Sequence, residues 1–151
     1  MDCDYKRDRD IEEVLELIPQ RPPFLFIDQI CSIEEKKIIT KKRIDPNEDY
    51  LKGHFPNFPI VPGVLLCEAI FQSGALFIGK KNKTEDKNKI GVVSRIEKCK
   101  FKQLVHPGDE LNIEVELKDQ LENAFYFSGK IIVNGKVAVV CDFACTLRST
   151  Y

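Results

Sequence analysis

Between residues 60 and 79 the chain carries a single charged side chain, Glu68. No other feature narrows the possible folds as far. Across residues 64–78 the apolar positions do not alternate, which argues against a half-buried strand. They fall on nearly every side of a helix drawn through them, the pattern of a helix enclosed by the rest of the protein. Pro62 suits the first helical turn and Gly79 suits the stop. Gly63, Gln72, Ser73 and above all Glu68 interrupt the run, so the expectation is a core helix with no membrane insertion.

The remaining elements read as its cover. Asp10 with Glu13 three residues on resembles a helix N-cap with its capping acid, followed by the stripe Ile11, Val14, Leu15, Ile18 and stopped by Pro19. Residues 24–33 and 36–44 read as two strands joined through Glu34 and Glu35. Residues 45–62 form a long irregular loop with four prolines, and loops of that length are usually functional or disordered. Residues 80–89 read as a low-complexity, solvated loop. Strands are expected near 91–105, 110–118, 123–133 and 136–148. Pro107-Gly108-Asp109 marks one turn and Asn134-Gly135 a tight hairpin. The expected fold class is α+β: one domain, residues 1–151, with an antiparallel sheet wrapped around one central apolar helix. Where the sheet leaves that helix bare, a second copy of the chain is the simplest cover, so at least a homodimer is expected.

Composition excludes more than it selects. The net charge of −1 gives no global basic field, so nucleic acid is not an expected partner. The six cysteines include no C-x-x-C pair and fall at long, irregular intervals, which argues against a metal centre and against a disulfide framework. Buried, reduced thiols and a cytoplasmic setting are expected instead. The first ten residues are charged throughout and contain no apolar signal core.

Glu68 is also the chemical anomaly. Burying a carboxylate costs several kcal/mol unless it is paired, hydrogen-bonded or neutral, and burial raises its pKa toward the range of a usable acid. Gln72 lies one turn on, on the same face. His54 precedes the helix in the proline-rich loop, whereas His106 sits beside a turn with no anomalous neighbour and reads as structural or exposed. At Pro62-Gly63-Val64 the helix start offers free N–H groups, and Gly63 lets a ligand oxygen approach the backbone. An imidazole, a buried carboxyl and an oxyanion site are what removal of a proton alpha to a thioester, with loss of a beta-hydroxyl, requires. No nucleotide-binding or metal motif is present, and no cofactor is expected.

The segment from Gly53-His54-Phe55-Pro56 through Pro59-Ile60-Val61-Pro62-Gly63-Val64-Leu65 to Glu68-Ala69 resembles the active-site signature of the FabZ-type 3-hydroxyacyl-(acyl-carrier-protein) dehydratases, including its 14-residue His-to-Glu interval. Residues 18–28 are similar to the family's entry segment. Phe101 and the run VHPGDEL at 105–111 are similar to its later turn. The resemblance implies a hot-dog fold and lyase activity on acyl-carrier-protein thioesters in fatty-acid synthesis. It also implies a trimer of dimers, with His54 of one chain meeting Glu68 of another. It places Phe55, Pro62, Gly63, Val64, Phe71 and Gln72 at the substrate. Gln20, Pro22, Val61 and Phe71 depart from the family pattern. Phe71, bulky where a small residue is common, implies a preference for short or medium acyl chains. The carrier is acidic, so Arg95, Lys98, Lys100 and Lys102 on one expected strand form a candidate dock. The last three share a face if that strand is regular. A hot-dog thioesterase, an enoyl hydratase and a non-catalytic acyl binder on the same scaffold are the alternatives.

Overall fold

A computed structural model describes residues 7–82 and 88–150. The chain runs α1 (Arg7–Leu17), β1 (Gln29–Ile33), β2 (Lys37–Arg43), α2 (Asp49–Gly53), α3 (Gly63–Lys81), β3 (Lys89–Phe101), β4 (Glu110–Leu121), β5 (Ala124–Val133) and β6 (Lys136–Ser149). The strands form one sheet in the order β1-β2-β4-β5-β6-β3, and every pairing is antiparallel.

Helix α3 packs against five of the six strands, β2 through β6. Its Leu66, Ile70, Leu76 and Phe77 are buried together with Ile113, Val115, Phe127, Ile131 and Phe143 from the sheet. Each such side chain contributes roughly 1.5–3 kcal/mol on leaving water, so this layer is the main source of stability. By length and hydropathy α3 could cross a bilayer, but in this fold the sheet covers it.

The Asn134-Gly135 hairpin is as expected. Both residues have positive φ, 50° and 76°, and the two-residue turn joins β5 to β6. The Pro107-Gly108 turn closes through Asp109 N–H donating to the His106 carbonyl at 3.1 Å, with Gly108 at φ 88°.

Several boundaries differ from the sequence expectations, each for a physical reason. Helix α1 starts at Arg7, so Asp10 lies inside it and is not the N-cap. The strand expected over 24–33 begins only at Gln29. Phe24 and Phe26 give their backbone groups to the Gln72 side chain, which leaves them no sheet partner. Within the 45–62 loop lies the short helix α2, anchored by buried Leu51. Asp45 forms the turn ahead of it: its carboxylate accepts from Asn47 N–H and its carbonyl from Glu48 N–H, and Glu48 is the helix cap.

Pro62 is the cap of α3 rather than its first helical residue. Gly79 does not stop α3, which continues to Lys81. Its role is close approach, because a Cβ there would sit 2.6 Å from the Leu17 carbonyl oxygen. The low-complexity loop expected at 80–89 is shortened at both ends by α3 and β3, and residues 83–87 lie outside the described residues, as does Cys3. Strand β3 ends at Phe101, short of the expected 105.

The sheet has two edges. At one of them β3 pairs only with β6, and it exposes Val92, Val93, Ile96 and Phe101. An apolar edge strand left open is a template for pairing with another chain.

Candidate active site

His54 follows α2 directly. Its backbone N–H caps that helix on the Tyr50 carbonyl, and its Nδ1 lies 3.0 Å from the carbonyl oxygen of Ile60. A carbonyl only accepts, so Nδ1 carries the hydrogen and Nε2 keeps its lone pair in the neutral ring. The fold thereby sets the tautomer a base needs. The next residue, Phe55, has φ 49°, a left-handed conformation that a bulky side chain adopts only under constraint. Phe58 N–H donates to the Phe55 carbonyl at 2.8 Å and holds this turn. The Phe55 ring lies 4.1 Å from the imidazole and is itself exposed.

Glu68 projects from the second turn of α3. Burial pushes its carboxyl above the usual carboxylate range, and the hydrogen bond from Gln72 offsets part of that rise. Gln72 Nε2 donates at 3.0 Å to Glu68 Oε1 and at 3.0 Å to the Phe24 carbonyl, while Gln72 Oε1 accepts from Phe26 N–H at 2.9 Å. Only one orientation of the amide satisfies all three bonds, so the side chain that positions Glu68 is itself fixed by backbone. The Glu68 charge also reaches Cys145, whose thiol is pushed up to about 12, chiefly by burial.

Gly63 is the first residue of α3. Leu65 and Leu66 N–H both turn to the Pro62 carbonyl, which leaves the first turn's leading N–H groups outward. A Cβ at Gly63 would come within 2.8 Å of the Phe101 ring, so glycine is what lets β3 close over the helix start. Val64 is exposed beside it.

The two principal residues stand on different supports, and among the described residues no hydrogen bond or ion pair joins His54 to Glu68. A cavity of about 420 Å³ beside α2 is lined by Pro23, Phe24, Phe26, Tyr50 and Leu65 and by neither of them. Phe71, expected at the acyl chain, is buried, its ring 5.0 Å from that of Phe143 in the aromatic stack that continues to Phe127.

The basic stripe does not lie as regular alternation requires. The β3–β6 register shifts between Glu97 and Lys100, and Lys98 takes φ 49° in that bulge. Lys98 therefore leaves the alternation that Lys100 follows. Arg95 is drawn to Glu97 at 3.7 Å, which offsets its charge. His106 is exposed, as expected, with Nδ1 3.9 Å from Asp109.

Sequence reasoning passed over Asp28 as a working group. It accepts from Arg43 N–H and pairs with Lys42, which also pairs with Glu48, and so it ties β2 to the approach of α2. It also passed over the buried hydroxyl pair Thr40–Ser73, 2.7 Å apart, where β2 meets α3. Three cysteines set far apart in sequence, Cys67, Cys99 and Cys141, meet in space.

The architecture is the hot-dog fold. It is shared with the dehydratase heterocomplex ApeI:P of Xenorhabdus doucetiae at TM-score 0.76 and 18% identity, over 90% of this chain and 91% of that one. The PaaI protein of Escherichia coli aligns with TM-score 0.62 and 15% identity, over 78% of this chain and 80% of that one. Residues 18–142 match the FabA-like domain model. The chain is 39% identical over 140 residues to the 3-hydroxyacyl-(acyl-carrier-protein) dehydratase FabZ of Oceanobacillus iheyensis, covering 92% of this chain and 99% of the relative. It is equally similar, at 39% over 92% of its length and 95% of the relative, to FabZ of Staphylococcus epidermidis. The chain belongs to the FabA-like family and, within it, to the FabZ-type dehydratases.

Proposed function

We propose that this single-domain chain converts (3R)-3-hydroxyacyl thioesters of an acyl carrier protein to trans-2-enoyl thioesters in fatty-acid synthesis. His54 and Glu68 are its acid–base pair. The observation that carries the reading is the contrast in preparation: an imidazole with Nε2 free to accept a proton, and a carboxyl that burial keeps toward its protonated form.

Nε2 of His54 takes the proton from C2. Charge developing on the thioester oxygen is met by the Gly63 N–H, with that of Val64 beside it, at the positive end of α3. As the C2=C3 bond forms, the C3–O bond breaks, and the Glu68 carboxyl gives its proton to the departing hydroxyl, which leaves as water. The imidazolium then returns its proton to Glu68 through solvent. No cofactor enters. Phe55 and Pro62 border the entry, Gln72 holds Glu68, and Phe71 ends the space for the acyl chain.

The pair needs two chains. Two copies joined along the open β3 edges would cover Val92, Val93, Ile96 and Phe101 and bring the partner's loop to α3. Three such dimers make the expected hexamer. An acidic carrier protein would dock on Lys100 and Lys102, with Arg95 and Lys98 near them. A reducing cytoplasm fits the free thiols.

Incubation with 3-hydroxyacyl and crotonyl thioesters tests the reading. Enoyl formation, with reversal from the crotonyl substrate, is expected. Release of free thiol would make the protein a thioesterase, and no turnover would make it an acyl binder. Light scattering that finds a monomer in an active preparation would remove the shared site.

A further inference from the structure

Cys67 in α3, Cys99 in β3 and Cys141 in β6 place their sulfurs within 4.8 Å of one another, and Cys67 Sγ lies 3.4 Å from Cys99 Sγ. The bulge in β3 builds this grouping. Beyond it, Lys100 pairs with Val140 and Phe101 with Val139, a register that sets Cys99 beside Cys141 on the side turned to the helix. Cys67 and Cys141 are buried and Cys99 on β3 is half-buried, so Cys99 is the most solvent-accessible of the three.

We propose that Cys67, Cys99 and Cys141 form a three-coordinate site for a thiophilic d10 cation, copper(I). Thiolates select soft cations of this kind. With metal–sulfur bonds of about 2.3 Å, three sulfurs around one ion in a plane stand about 4 Å apart, a spacing between the 3.4 Å of the Cys67–Cys99 pair and the 4.8 Å that bounds the cluster. Among the described residues no histidine or carboxylate joins the group, so the donor set is three sulfurs rather than the four of a closed zinc site. Binding releases the three thiol protons and forms three sulfur–copper bonds with no change of oxidation state.

A disulfide is the competing use of these thiols, and a Cys67–Cys99 bridge would leave Cys141 unused. A soft cation differs because it displaces the thiol proton outright. Cys67 is the peptide neighbour of Glu68, so an occupied site would also fasten the second turn of α3 to the edge strand.

The test is anaerobic titration of the full chain with copper(I) against a competing chelator, with X-ray absorption on the product. One equivalent per chain and three sulfur neighbours are expected. Cys99→Ser, at the half-buried position that best tolerates change, should weaken binding by at least the ~100-fold that loss of a mere outer-shell partner can cost. Cys67→Ser and Cys141→Ser should do the same, with melting curves confirming that each variant folds. Cys31→Ser and Cys145→Ser should leave affinity unchanged. Undiminished affinity in Cys99→Ser, a sulfur number other than three, or equal loss in the two control variants overturns the site.

Discussion

The loop that carries His54 and the helix that carries Glu68 solve one problem in opposite ways. The loop is mostly exposed, and backbone holds it: a carbonyl on Nδ1, a turn closed at Phe58, and an unfavourable φ at Phe55. The helix is mostly buried, and a side chain holds its acid: Gln72, pinned between the Phe24 and Phe26 backbones. Groups held by backbone geometry can be altered with little effect on folding, because little surface is buried around them. Groups held within the core cannot, because each polar atom there needs its partner. Catalysis and stability should therefore separate at the loop and move together at the helix.

The sharpest break between the two is His54→Ala. Turnover should fall by roughly 10²–10⁴, while the unfolding free energy read from urea denaturation should fall by only about 1 kcal/mol, the net worth of the lost hydrogen bond to the Ile60 carbonyl. A large loss of stability would end the comparison. On the helix side, Gln72→Leu leaves the Phe26 N–H and Phe24 carbonyl unpaired at about 1–3 kcal/mol for a buried group, so a loss of roughly 2–4 kcal/mol with a parallel loss of activity is expected. Activity lost at unchanged stability would show that Gln72 acts on the substrate and not on the fold.

The pH dependence sharpens the same point. The folded-state pKa of Glu68 is raised, by burial first. The unfolded chain therefore gives up this proton at lower pH than the folded one. Wild type loses stability as pH climbs through the interval between the two values, and the penalty stays constant above it. Glu68→Gln removes that penalty. Its stability relative to wild type should improve as pH rises through the interval, read from urea midpoints at several pH values. A difference that does not vary with pH would mean that the carboxyl titrates normally. The smallest effect is expected at Phe55. Phe55→Gly should be more stable than Phe55→Ala by about 1 kcal/mol, because both remove the ring and only glycine accepts φ 49° freely. Equal stabilities would mean that the turn relaxes once the ring is gone.

What sequence made legible is what local chemistry decides. The core helix, the Asn134-Gly135 hairpin and the Pro107-Gly108 turn follow from residues adjacent in the chain. Glu68 stood out because a charge is out of place in an apolar helix, and His54 through its position just before that helix and the family signature it shares. What stayed hidden depends on distant partners. Residues 24–26 look like a strand and fail to be one because the side chain of residue 72 takes their backbone bonds. The capacity of Gly79 to stop a helix goes unused because the end of α1 packs against it. The alternating lysines of β3 lose their common face to a bulge that alternation cannot announce. The three-cysteine cluster draws on two strands and a helix, and no interval in the chain foreshadows it.

The left-handed turn at Phe55 has a consequence for how such a chain varies over time. A glycine would relieve the turn at once and gain stability, yet the aromatic ring stays against the imidazole. The position thus sets two physical requirements against each other, an unstrained backbone and an aromatic ring held beside the imidazole. Among drifting descendants, those that lose their chemistry should be the first to admit glycine there. A single codon at this position would then tell a working copy from a retired one.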